Sequence, residues 1–225
     1  MGMAFTVVLD GKPCVGKTTQ ATLVAQNLRE RGINAVGIKD CIRSHPIALD
    51  IMNVSGKIRQ RSQGGMLEQG IVYSLSVAAV AYSFLSARRK NFDVVIFEGT
   101  PLIARAYAFG DGDYMGSGAR VTATYKVIGA AAKFFPIDML VYLSASKEAL
   151  LERFETREDN KDVVHRRELE LDDALHKHVL ECFVGTERFE CVDSGKASKD
   201  VADDITGRVL LGMRRGGGHS RQVNL

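Results

Sequence analysis

The 225-residue chain has no tryptophan, only four prolines and four cysteines, and a net charge of just +3. Each shortage excludes something. The cysteines (Cys14, Cys41, Cys182, Cys191) form no C-x-x-C pair and no zinc-ligand spacing. A disulfide scaffold and a structural zinc site are therefore not expected, and the thiols read as reduced ones of a cytoplasmic protein. A charge so near balance gives no footprint for nucleic acid or a membrane surface. The longest apolar stretch, Val77 to Leu85, is far below membrane-spanning length. Met1 to Ala4 is too short to be a signal peptide ahead of the first apolar run. Length and composition suit one α/β domain with a sizeable core, and no internal repeat is visible.

What is present is concentrated in Phe5 to Thr19, FTVVLDGKPCVGKTT. An apolar run leads into a glycine-bearing turn and then into a helical pattern. Gly11, Lys12, Pro13, Cys14, Val15, Gly16, Lys17 and Thr18, followed by Thr19, fit G-x-x-x-x-G-K-[ST] at every required position. Such a turn aims successive backbone N–H groups at an anion, and a Cβ at either glycine would obstruct it. The following helix adds its N-terminal partial positive charge. The spacing assigns Lys17 to the β- and γ-phosphates of a nucleoside triphosphate and the Thr18 hydroxyl to Mg²⁺. Cys14 reads either as a small residue that fits the turn or as a thiol in a positive field.

Strand and helix signals alternate from there. The pattern predicts strands at Phe5–Leu9, 33–38, 93–98, 138–143 and 189–192, with Glu98 emerging at the C-terminal end of the third. Continuous apolar runs such as DVVIF are typical of central parallel strands covered on both faces. Helices are expected after Lys17, over 46–54, 66–89, 147–154, 162–184 and 198–213. The 66–89 helix is apolar nearly all round, so it lies either in the core or in a homodimer face. A basic segment, 55–63, with Lys57, Arg59 and Arg61, is expected to be a loop, either solvated or touching an anion. The reading is one α/β domain over 1–213, a P-loop NTPase with a five-stranded parallel sheet, helices on both faces and a short lid near 153–163. Residues 214–225 are expected to be a disordered tail.

Phosphoryl transfer needs a donor cradle, a metal, cations on the migrating charge and exclusion of water. Glu98, at the sheet edge where open α/β folds bind ligands, is a candidate for metal or acceptor orientation, or is a solvated strand end. Arg153 and Arg157 are lid candidates because the guanidinium forks onto phosphate; the alternative is an ordinary charged helix end.

The chain resembles thymidylate kinase and its nucleotide-kinase relatives in DGKPCVGKTTQ, in the Ala106-Tyr107 pair after Glu98, in PIDMLVYLSASKEALLERFETR and in VDSGKASKDV. The apolar 66–89 helix points to a homodimer, and the resemblance implies an ATP- and Mg²⁺-dependent kinase. It implies a donor-base segment at Ser194, Gly195 and Lys196, and Tyr107 among the substrate residues. The acceptor half departs from the family. Pro13 replaces an acidic residue, Lys39-Asp40-Cys41 replaces Arg-Glu-Pro, Glu98-Gly99-Thr100 replaces Asp-Arg-Tyr, and Val77 replaces an arginine. Lys39, Asp40, Arg43 and Arg105 are accordingly the candidates for a changed acceptor site. The acceptor expected is a nucleoside monophosphate, dTMP or a related small molecule. The alternative is an NTP-hydrolysing regulatory protein with a degenerate acceptor site.

Overall fold

Five strands lie side by side in one parallel sheet of order β2-β3-β1-β4-β5. The computed structural model describes residues 4–39, 46–61, 75, 82, 91–98, 137–156 and 189–216. In chain order the elements are β1 (Phe5–Asp10), α1 (Lys17–Glu30), β2 (Ala35–Gly37), α2 (Pro46–Arg61), β3 (Val94–Glu98), β4 (Met139–Ser144), α3 (Lys147–Thr156), β5 (Phe189–Asp193) and α4 (Ser198–Gly216). All four strand pairings are parallel, so every strand ends at the same edge.

β1 sits in the middle because it is apolar on both faces. Val7 and Leu9 face one way, packing with Ile96 of β3, Val141 and Leu143 of β4, and the inner sides of α1 (Val24, Leu28) and α4 (Ile205, Val209). Val8 faces the other way with Phe97 and Leu140, and these are buried too. α1 and α4 pack against each other over the first face. Gln20 Nε2 donates to the Ser198 carbonyl at 3.1 Å and Asn27 Nδ2 to Asp203 at 2.9 Å, polar ties along that helix pair. Arg208 joins Asp204 one turn back and Glu190 of β5, which fixes α4 to the edge strand.

Several boundaries moved, each for a local reason. β2 starts only at Ala35 because the Ile33 N–H closes α1 onto the Leu28 carbonyl and the Asn34 N–H goes to Asp93. The loop expected at 55–63 is helical through Arg61. One glycine in a helix costs about 1 kcal/mol, too little to stop it, and Ala48 and Ser55, both buried, lie two turns apart on one face. α4 continues to Gly216, past the 213 end expected. Within the expected 66–89 helix, Leu75 and Tyr82 are described, and both are helical and half-buried. The rest of that helix, the 162–184 helix and most of the lid lie outside the described residues. Among the described residues no helix is long and apolar enough to cross a membrane.

The core makes a direct prediction. Leu28 is fully buried between α1, α4 and the sheet, while Leu211 on α4 is 46% exposed. Leu28→Ala should cost about 2–5 kcal/mol in urea unfolding, and Leu211→Ala within about 0.5 kcal/mol of zero.

Candidate functional site: a phosphate loop with a carboxylate beside it

The phosphate loop is held from three directions. At its start Gly11 has φ 137, and a Cβ there would lie 2.3 Å from the Leu143 carbonyl oxygen of β4. No side chain fits, so β1 and β4 approach as closely as glycine permits. At its end Gly16 has φ 99 and begins α1 without a side-chain cap. The first intrahelical bond is Gln20 N–H to the Gly16 carbonyl at 2.9 Å, and the preceding N–H groups are the ones a helix leaves for an anion. In the middle Val15 is 2% exposed and belongs to the core, which anchors the loop. Pro13 is buried, Lys12 half-buried, and Cys14 packs on the core in a left-handed conformation (φ 62).

Lys17 folds back over this loop. Its ammonium donates to the Gly11 carbonyl at 2.6 Å and the Lys12 carbonyl at 2.9 Å. Those contacts place a positive charge above the cradle, where phosphate oxygens would accept the same protons.

The neighbouring strand supplies a carboxylate. Leu9 of β1 is level with Glu98 of β3, so Glu98 ends beside the start of α1. The Thr18 hydroxyl donates to Glu98 Oε2 at 2.5 Å. Lys39 completes the cluster. Gly37 of β2 is level with Ile96 of β3, and the chain then turns into helical conformation at Lys39, near the end of β3. Its Nζ lies 2.6 Å from Glu98 Oε2 and donates to Thr18 Oγ1 at 2.7 Å. The ammonium of Lys39, a candidate for the acceptor side, sits on the two oxygens that are the metal candidates. That donor set suits a hard cation such as Mg²⁺, which takes one or two protein oxygens and fills its shell with phosphate and water. Among the described residues no group of three or more His, Cys, Asp or Glu side chains could hold a metal; the oxygens that meet there are those of Thr18 and Glu98.

On the other flank, the segment after β5 is tied to the end of β4. The Ser144 carbonyl accepts both the Ser194 N–H at 2.8 Å and the Ser194 hydroxyl at 2.9 Å. Gly195 N–H donates to Asp193 at 2.8 Å. Arg153 of α3 donates from Nη2 to the Ser194 carbonyl at 2.7 Å. Arg153, expected to face the transferred phosphate, thus grips the candidate base segment 194–196, whose Lys196 is exposed. Asp40, Arg43, Arg105, Tyr107 and Arg157 lie outside the described residues.

One charged group escaped the sequence reading. Asp10, the last residue of β1, is completely buried. Its Oδ1 accepts the Gly11 N–H at 2.6 Å, and its Oδ2 is buried with no partner among the described residues. Burial pushes its pKa up from 3.8 to about 6, against the opposing pull of the Lys17 charge and the Gly11 N–H. The signal was available: a carboxylate closes an apolar run immediately before the loop, as Glu98 closes β3.

A folded-state pKa above the unfolded value means that folding binds a proton. The stability linked to Asp10 is full below pH 3.8 and falls away as pH rises through about 6. The shift corresponds to about 3 kcal/mol. Asp10→Asn keeps an oxygen for the Gly11 N–H and cannot ionise. Its stability relative to wild type should therefore improve by up to about 3 kcal/mol between pH 4 and pH 7 in urea unfolding; a difference that does not change with pH would contradict this account. Compared with protein-family models the chain matches none, and no curated protein matches it either.

Proposed function

We propose that the chain is an ATP- and Mg²⁺-dependent small-molecule kinase of the thymidylate kinase-like type, moving the γ-phosphoryl of ATP to a nucleoside monophosphate, dTMP or a related acceptor. The observation that carries this reading is the meeting of Thr18 and Glu98, 80 residues apart, at the mouth of the phosphate loop. A triphosphate-binding loop alone serves many chemistries; a carboxylate on the hydroxyl that follows the loop lysine gives the metal a second protein oxygen.

Each residue then has a task. The loop N–H groups and Lys17 hold the β- and γ-phosphates, with Lys17 exchanging the Gly11 and Lys12 carbonyls for phosphate oxygens. Thr18 and Glu98 would hold Mg²⁺, which would supply positive charge to offset the charge that develops on the transferred phosphate. Arg153 fixes the Ser194 carbonyl and with it the base segment, leaving Arg157 as the arginine for the migrating charge. Asp40, Arg43, Arg105 and Tyr107 are the acceptor-side candidates. The acceptor oxygen bonds to the γ-phosphorus as the bond to the β–γ bridging oxygen breaks, and ADP departs; positioning and electrostatics suffice, with no covalent enzyme intermediate.

A screen of nucleotides, nucleosides and phosphorylated metabolites for acceptor-dependent ADP release tests the proposal. One acceptor should raise ADP release strongly, and Lys17→Ala and Glu98→Gln should each lower that rate by about a hundredfold or more. Slow ATP hydrolysis at one rate, whatever is offered, would replace the kinase with an NTP-hydrolysing regulatory protein.

A further inference from the structure

The ammonium of Lys39 touches the same two oxygens that the metal needs. We propose that Lys39 is a tethered cation that occupies the metal position between Thr18 and Glu98, and that the metal–nucleotide complex must displace it. The inference rests on the reading of Thr18 and Glu98 as metal ligands, and it adds a residue that works against the metal.

Three features support it. The geometry is convergent: Lys39 Nζ lies 2.6 Å from Glu98 Oε2 and 2.7 Å from Thr18 Oγ1, while those two oxygens are 2.5 Å apart. A single cation therefore satisfies both oxygens, and a second cannot approach the same lone pairs. Burial is asymmetric: the Glu98 side chain is 6% exposed and that of Lys39 is 47% exposed. A carboxylate so enclosed requires a counter-charge, whereas a half-exposed ammonium returns to water at little cost. Chain position is the third feature: β2 pairs directly with β3 through Gly37 and Ile96, and Lys39 follows two residues later in a helical turn, so its stem starts beside the end of the strand that carries Glu98.

The arrangement has a chemical consequence. With Lys39 in place, Glu98 does not repel an arriving nucleotide anion, so nucleotide binds with or without metal. Without Lys39, Glu98 stands uncompensated, and nucleotide depends more heavily on the metal it brings. Lys39 therefore lowers the metal dependence of nucleotide affinity.

The experiment is calorimetric titration of the full-length protein with ADP, once in excess Mg²⁺ and once in EDTA. The readout is the ratio of the two dissociation constants, metal-free over metal-bound. Lys39→Met should raise that ratio about two- to fivefold, the range an ion pair with one exposed partner supports. Lys39→Arg, which keeps a cation on the carboxylate, should stay near wild type. In a Glu98→Gln background the Lys39→Met effect should vanish, because the contested charge is gone. An unchanged or smaller ratio in Lys39→Met overturns the proposal, as does an increase that persists in Glu98→Gln, which would mark a general field effect. If wild type shows a metal-dependent ratio that Glu98→Gln and Thr18→Ala leave intact, the metal assignment itself fails. If wild type binds no ADP, the kinase reading fails first.

Discussion

Everything at the candidate site depends on β1 being hydrogen-bonded on both sides. Its partners β3 and β4 run in its own direction, and parallel pairing leaves no freedom over which ends meet. The strand that carries the phosphate loop is therefore flanked by the strand that ends in Glu98 and the strand that ends in Ser144. The tightest expression of this is the contact between Gly11 and the Leu143 carbonyl. Backbone meets backbone there, so the loop sits close against β4, and the segment hung from Ser144 is placed by the same strand.

The electrostatics are arranged in pairs. Lys17 has loop carbonyls before it and the buried Asp10 behind it; Lys39 has Glu98 and Thr18. Each cation is held by groups that a metal–nucleotide complex would claim or reorient. In such a site the charges are compensated internally, so ligand binding there would be an exchange of partners rather than the filling of a bare charged cleft.

How much of this was legible in the sequence follows from what each feature depends on. The phosphate loop depends on local spacing, and Gly11 and Gly16 adopt the positive φ values their places in the motif require. The strands were legible because runs such as VVLD and VVIFE are apolar at successive positions, and the parallel sheet followed from their alternation with helices. Strand adjacency was not legible, and several contacts at the site depend on it. The contact of Lys39 with Glu98 joins the chain just after β2 to the end of the neighbouring strand β3. The burial of Asp10 beside Tyr142 depends on β4 lying next to β1. Arg153 was read by its fork-shaped chemistry, but its target is a carbonyl 41 residues away, a distance no periodic pattern encodes.

The pairing of Thr18 with Glu98 also bears on how the protein comes into being. A chain that has folded only through β1 and α1 already owns the phosphate cradle, since every residue of it lies within the first twenty. It does not own the carboxylate, which arrives with β3, and it lacks the backstop at Leu143 until β4 docks. The loop is therefore local in sequence, whereas the meeting of Thr18 with Glu98 exists only when the central strands have assembled. That meeting is in this sense a signature of a completed sheet, present only where β3 has joined β1.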